Sequence, residues 1–223
     1  MANEDKSRIG VSRRQFIKSS SAIGAAAATQ FLFAGAGRGA AEDQKIRVGV
    51  IGCGGRGTGA ALNLLLAPTK VIYPPPRSGY HTENAEPGAR AKATNVEIAA
   101  LADLFQERLA DCRQQLKLVG NEVSDRNCFV GFDAYEKVLN LPEVNYVVLA
   151  SPPQFRPREL RAAVEAGKHV FAEKPVAVDA PGVRSVIESG ELAKKKGLGI
   201  LAGTVRRHSR DIMETVKRLR DGA

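Results

Sequence analysis

The sequence contains no tryptophan, and aromatic residues make up only 5% of its 223 positions. A chain so poor in aromatic rings has few stacking platforms for single-stranded nucleic acid. Its three cysteines, Cys53, Cys112 and Cys128, are scattered and form no CxxC pair. That argues against a disulfide framework and against a zinc site, and no metal is expected. No purely apolar run reaches the roughly 18 residues that a conventional membrane-spanning helix needs. The glycine-rich turn is not followed by G-K-[ST], which excludes a P-loop nucleotidase.

What is present is an ordinary globular composition, 43% hydrophobic and 26% charged. The net charge of +9 is unevenly placed. Residues 1–41 carry Lys6, Arg8, Arg13, Arg14, Lys18 and Arg38 against Glu4 and Asp5. Beyond residue 41 the charges are interleaved, as on a solvated surface, rather than gathered on one basic face. No nucleic-acid partner is expected on that ground.

The N-terminus reads as an address. Residues 12–18, Ser-Arg-Arg-Gln-Phe-Ile-Lys, resemble the twin-arginine export motif. A mild apolar stretch follows from Ala22 to Ala36, interrupted by Thr29 and Gln30. Small residues then offer cleavage sites at Ala34-Gly35-Ala36 or Gly39-Ala40-Ala41. A charged start, an apolar middle and a small-residue exit form a signal-peptide layout, assigned to 1–41 and set aside from fold reasoning. The alternative is an amphipathic or disordered tail. The expected location is the periplasm, with a membrane tether if the leader stays attached.

Residues 42–223 are expected to form one dinucleotide-binding domain. Ile46 to Ile51 read as a short buried strand, and Gly52-Cys53-Gly54-Gly55-Arg56-Gly57 follows as a G-x-G-x-x-G match. A helix is expected from about Thr58 to Leu66. Strand, glycine turn and helix in that order give an otherwise weak pattern its meaning. Gly52 allows the tight turn, Gly54 lets the backbone approach a diphosphate, and Gly57 lets the helix pack on the strand. The phosphates would lie at the helix N-terminus, where free N–H groups and the helix dipole favour negative charge. The alternative is a flexible loop between unrelated elements.

A second strand, Val96 to Leu101, runs on to Ala102-Asp103. An acid at that tip is the expected partner of the adenosine ribose, and it repels a 2′-phosphate, favouring NAD over NADP. Its alternative role is to cap a helix from Leu104 to about Leu118. The usual spacing from the last glycine is about 20 residues. Here the excess lies in residues 67–95, which hold five of the eleven prolines, including Pro74-Pro75-Pro76. That stretch reads as a long inserted surface loop.

Further on, helices are expected over 133–139, 157–166, 180–196 and 208–220, and strands over 145–150, 168–172 and 198–202. Such alternation implies a Rossmann-type α/β fold, doubly wound, with a mostly parallel sheet and helices on both faces. Lys174 follows one of these strands at its carboxyl end, near the crevice where ligands of such sheets bind. Oxidising a secondary alcohol needs a proton acceptor or an orienting group there. Glu173 is placed to adjust its charge. The alternative for Lys174 is a surface ion pair.

The order VGVIGCGGRG, ALAD, VVLASPP and AGKHVFAEKP resembles the Gfo/Idh/MocA oxidoreductases, which include glucose–fructose oxidoreductase and inositol dehydrogenase. The resemblance covers about residues 46–222, the nucleotide-binding half. It implies that Gly52, Cys53, Gly54, Gly55, Arg56 and Gly57 form the diphosphate turn. It places Asp103 on the adenosine ribose and Ser151, Pro152 and Pro153 along the cofactor. Glu173 and Lys174 of the EKP motif would lie beside the nicotinamide, Lys174 contacting substrate, and Pro175 would follow a cis bond.

Gln154-Phe155-Arg156 stands where many relatives carry a histidine, which implies altered chemistry there. Arg206 and Arg207 are candidate anion or sugar contacts, whereas His81 and His169 read as structural. Implied partners are a nicotinamide dinucleotide, a sugar or polyol, and further copies of the chain in a homo-oligomer. Family members continue past a sequence like Asp221-Gly222-Ala223 into an α/β domain bearing a catalytic histidine and the oligomer interface. That domain is expected to be missing here, leaving an incomplete oxidoreductase. The rival readings are a non-catalytic nucleotide-binding module, or a glycine-loop protein for a SAM-type ligand.

Overall fold

Val48, Val50 and Ile51 are each at most 3% exposed, and the run Ile46–Ile51 forms the central strand, β1. A strand buried on both faces needs a continuous apolar run rather than alternation, and this one has it. The computed structural model describes residues 45–72, 82–93, 95–204 and 207–222. The leader, Pro74-Pro75-Pro76, His81 and Arg206 lie outside the described residues.

From β1 the chain turns into α1 (Gly55–Leu64), then β2 (Thr69–Ile72) and β3 (Thr82–Ala85). Next come β4 (Val96–Asp103), α2 (Gln106–Leu118) and β5 (Cys128–Val130). The second half holds α3 (Ala134–Leu139), β6 (Tyr146–Leu149), α4 (Arg156–Glu165), β7 (His169–Ala172), α5 (Ala180–Lys196), β8 (Ile200–Ala202) and α6 (Arg210–Arg220). Six strands form one sheet in the order β5-β4-β1-β6-β7-β8, every pairing parallel. Leaving the β2–β3 hairpin aside, that is the Rossmann order 3-2-1-4-5-6.

Two apolar layers cover the sheet. Val48, Val50, Ile98 and Leu101 of the strands pack with Leu62 of α1 and Leu109, Cys112 and Leu116 of α2. On the other face Ile51, Ala100 and Leu149 pack with Val138 of α3, Leu160 and Val164 of α4 and Ala193 of α5. The chain reverses its winding between β1 and β6, and there the carboxyl ends of the strands open a crevice.

Some expected boundaries shift. The first helix begins at Gly55, three residues ahead of expectation, and takes the second half of the glycine motif into its first turn. The insertion is not all loop: β2 and β3 pair antiparallel, Thr69 opposite Ala85 and Ile72 opposite Thr82. β5 was not expected at all; at three residues it is too short to show a period. The bounds of α5 match expectation, because Asp179 accepts a bond from the Gly182 N–H at 2.7 Å and Pro181 stands in the first turn. Lys194, Lys195 and Lys196 fill its last turn, where the helix dipole favours cations.

Candidate functional site

The crevice between β1 and β6 is shaped by the glycine turn. Gly52 has φ of +94°, and a Cβ there would press on the Ser151 N–H and the Ala150 carbonyl at the end of β6. Only glycine fits both constraints. A Cβ on Gly57 would overlap the Gly52 carbonyl oxygen and approach the Ala150 Cβ at 3.3 Å, so α1 can lie this close only without a side chain. Gly54 is different: a Cβ there would meet nothing within 4 Å. Its missing side chain leaves open space in front of the first turn of α1. That turn holds no acidic residue, and Gly54, its N-cap, offers no side chain to its N–H groups. Free N–H groups, a positive helix end and a cradle that a Cβ would fill together fit a diphosphate.

The turn is held from below. The Cys53 N–H donates to Asp103 Oδ2 at 2.6 Å, and Thr58 Oγ1 donates to the Cys53 carbonyl at 3.1 Å. A hydrogen bond with Cys112, and burial, push the Cys53 thiol well above its usual range. It stays protonated and inert, and the contribution of Cys53 is its backbone.

Asp103 ends β4 beside that turn, 9% exposed. Its other oxygen, Oδ1, accepts from the Phe105 N–H at 2.9 Å. A carboxylate has about four acceptor positions, so both oxygens keep capacity for further donors. Asp103 does not cap the next helix, as the alternative had it. The N-cap of α2 is Phe105, and the helix starts at Gln106.

Across the crevice, Glu173 and Lys174 follow β7. Glu173 is buried and Lys174 exposed. Glu173 Oε1 lies 3.1 Å from Arg56 Nε, so the EKP turn and the glycine turn are joined by an ion pair. Among the described residues the Lys174 ammonium meets no hydrogen-bond or ion-pair partner. The Lys174–Pro175 peptide is cis. Ser151 is buried, Pro152 exposed and Pro153 half-buried along the rim after β6.

Arg156, expected to bring altered chemistry to the site, instead serves the turn from beneath. It is 6% exposed, and its Nη1 donates to the Glu173 carbonyl at 2.8 Å and to the Pro175 carbonyl. Those two carbonyls flank Lys174, so the guanidinium clamps the backbone that presents it. Burial pulls the pKa of Arg156 down, and nearby Glu173 and Glu159 oppose that shift. Glu159, 5% exposed, accepts from Ser151 Oγ, and burial pushes its carboxyl above the usual value. Ser151, Glu159, Arg156 and Glu173 thus form a polar layer under both rim segments.

Sequence reasoning missed the positions of Glu159 and of Glu83 on β3. Helix periodicity gives no sign that a carboxylate faces inward, and an insertion read as loop gives no sign that it returns to the site. His169 is structural as expected: its Nδ1 accepts from the Gly199 N–H at 2.9 Å. Arg207 is exposed, and its backbone N–H donates to the Thr204 carbonyl at 2.9 Å. Among the described residues no group of three His, Cys, Asp or Glu side chains could hold a metal, and no helix is long and apolar enough to cross a membrane.

Residues 46–204 match the model of the oxidoreductase family with an NAD-binding Rossmann fold, Gfo/Idh/MocA. The chain belongs to this family. Residues 10–29 match the twin-arginine translocation signal, so this Gfo/Idh/MocA chain carries an export sequence. It is similar to an inositol 2-dehydrogenase/D-chiro-inositol 3-dehydrogenase of Halalkalibacterium halodurans, 29% identical over 130 residues, 58% of this chain and 34% of that protein. It is also similar to an inositol 2-dehydrogenase of Pseudomonas fluorescens, 32% identical over 104 residues, 47% of this chain and 28% of that one.

Among solved structures it shares its fold with two relatives. One is a scyllo-inositol dehydrogenase of Lactobacillus casei with bound NAD(H) and scyllo-inositol (TM-score 0.54, 20% identity, 80% of this chain and 41% of that chain). The other is a 3-ketoreductase of Actinomadura kijaniata in complex with NADP and TDP-benzene (TM-score 0.53, 21% identity, 80% and 43%). This chain of the family spans about a third of the length of the curated relatives it matches.

Proposed function

We propose that the chain binds a nicotinamide dinucleotide, NAD in preference to NADP, and forms the cofactor half of an exported, periplasmic oxidoreductase acting on a sugar or polyol. The observation that carries this reading is the glycine turn. Gly52 and Gly57 are required by packing, while Gly54 faces open space that leaves a diphosphate room to approach the first turn of α1. The first N–H groups of α1 hold the diphosphate, with Gly55 and Arg56 completing the turn. Asp103 accepts from the adenosine ribose hydroxyls with the lone pairs left by Cys53 and Phe105, and its charge repels a 2′-phosphate. Ser151, Pro152 and Pro153 line the cofactor's path towards Glu173.

The bound nicotinamide supplies the hydride acceptor or donor. Lys174 orients the reacting hydroxyl and exchanges a proton with its oxygen, held in place by the Arg156 clamp. The relatives' names point to polyol substrates: two are inositol dehydrogenases, and one solved relative holds scyllo-inositol.

The test is titration of the purified protein with NADH and NADPH, followed by nicotinamide fluorescence, in wild type and Asp103→Ser. Wild type is expected to bind NADH more tightly, and Asp103→Ser to bring the two affinities together. Wild-type protein that ignores both coenzymes would sink the reading. An unchanged NADH/NADPH ratio in the variant would remove Asp103 from the ribose.

A further inference from the structure

Glu83 lies outside every motif of the sequence, yet it reaches the site. It stands on β3 of the inserted hairpin, its side chain 12% exposed and packed on Gly59 of α1. Its Oε1 accepts from Arg56 Nη1 at 2.6 Å, and its Oε2 accepts from Asn63 Nδ2 at 3.2 Å. The same guanidinium reaches Glu173 through Nε at 3.1 Å. One arginine therefore joins a carboxylate of the insertion to the carboxylate of the EKP turn, and the triad keeps one net negative charge.

The consequence rests on the dinucleotide reading above. With the adenosine half at Asp103, the nicotinamide half extends to the opposite side, over β6 and β7, where Arg56 and Glu173 meet. The oxidised nicotinamide ring is cationic and the reduced ring is neutral. A fixed charge nearby acts on the first and hardly on the second. We propose that Glu83 is a positioning residue of the cofactor site, which holds Arg56 on Glu173 and offsets the Arg56 charge, lowering the positive potential at the nicotinamide end and so favouring the oxidised coenzyme. Strand β3 is then part of the site rather than a decoration of the surface.

The experiment measures the dissociation constants of NAD+ and NADH separately, by calorimetry at fixed ionic strength, for the full chain and for Glu83→Gln and Arg56→Met. Glu83→Gln keeps the shape and loses the charge. It is expected to raise the NAD+/NADH ratio of dissociation constants about three- to tenfold, a range that allows for solvent screening at the half-exposed guanidinium. Arg56→Met removes the positive charge and is expected to lower the same ratio. A merely structural role for Glu83 would weaken both coenzymes alike and leave the ratio where it was, which overturns the proposal, as does a shift of both variants in one direction. Wild type that binds neither coenzyme overturns the function and this inference together. Wild type that binds both, with an unmoved ratio in Glu83→Gln, overturns the inference alone.

Discussion

Gly54→Val separates binding from folding in a way few substitutions can. Gly54 has φ of −68° and ψ of −175°, extended backbone that valine adopts readily. Its Cβ would meet nothing within 4 Å, so the folded protein has room for the side chain. Valine is a poorer N-cap than glycine, but it also lowers the entropy of the unfolded chain by about 0.4–1 kcal/mol. The net change in stability is therefore expected within about 1 kcal/mol, a Tm shift of no more than roughly 2–4 °C for a domain of this size. The dinucleotide fares worse. The isopropyl group occupies the approach to the first N–H groups of α1. Losing two charge-assisted hydrogen bonds there, at about 1.5–3 kcal/mol each, weakens binding by about a hundredfold or more. The assay pairs a thermal melt without coenzyme with an NADH titration. A variant with the wild-type Tm and wild-type NADH affinity would refute the placement of the diphosphate. A variant that loses both folding and binding would refute the claim that the space before α1 is open.

Gly57→Ala should give the opposite result, because its Cβ would overlap the Gly52 carbonyl oxygen. Overpacking of backbone on backbone is expected to cost about 2–4 kcal/mol, read as a lower urea midpoint, and a midpoint within error of wild type would contradict the close packing of α1 on β1. Glu159→Gln tests the polar layer. Burial raises the carboxyl's pKa in the folded protein above its usual 4.5, so the native state holds its proton more tightly than the unfolded chain. Stability from this group is complete below the unfolded value and is lost as pH rises through the folded one. Glutamine does not titrate, so the urea midpoint of the variant should gain on wild type as the pH rises above that usual value; a difference that stays constant as the pH rises would exclude Glu159 as the titrating group.

The parts of the site that were legible in the sequence are those whose chemistry is local. The strand Ile46–Ile51, the glycine spacing, Asp103 at a strand tip and the EKP turn each show themselves within a few residues. The ends of α5 were legible for the same reason, since Asp179, Pro181 and a lysine-rich last turn act through adjacent backbone. The start of α1 was not. Gly55 and Gly57 read as turn residues because their intrinsic preference is against helix, and packing on β1 and β6 overrides it. The hairpin in the insertion was hidden by its prolines, although Thr69–Ile72 carries the β-branched residues of a strand.

By itself the sequence determined that this chain carries a twin-arginine export signal and that its first strand leads into a glycine turn, because both act through contiguous residues. The tertiary structure alone decided what lies around that turn. It set Arg156 beneath the EKP backbone and Glu83 against Arg56, 27 residues apart in sequence. It also let the Asp103 carboxylate grip the glycine turn from 50 residues away. Such contacts depend on sheet order and on the path of an insertion, which no local pattern encodes; a charged side chain looks the same in sequence whether it faces solvent or closes a buried network.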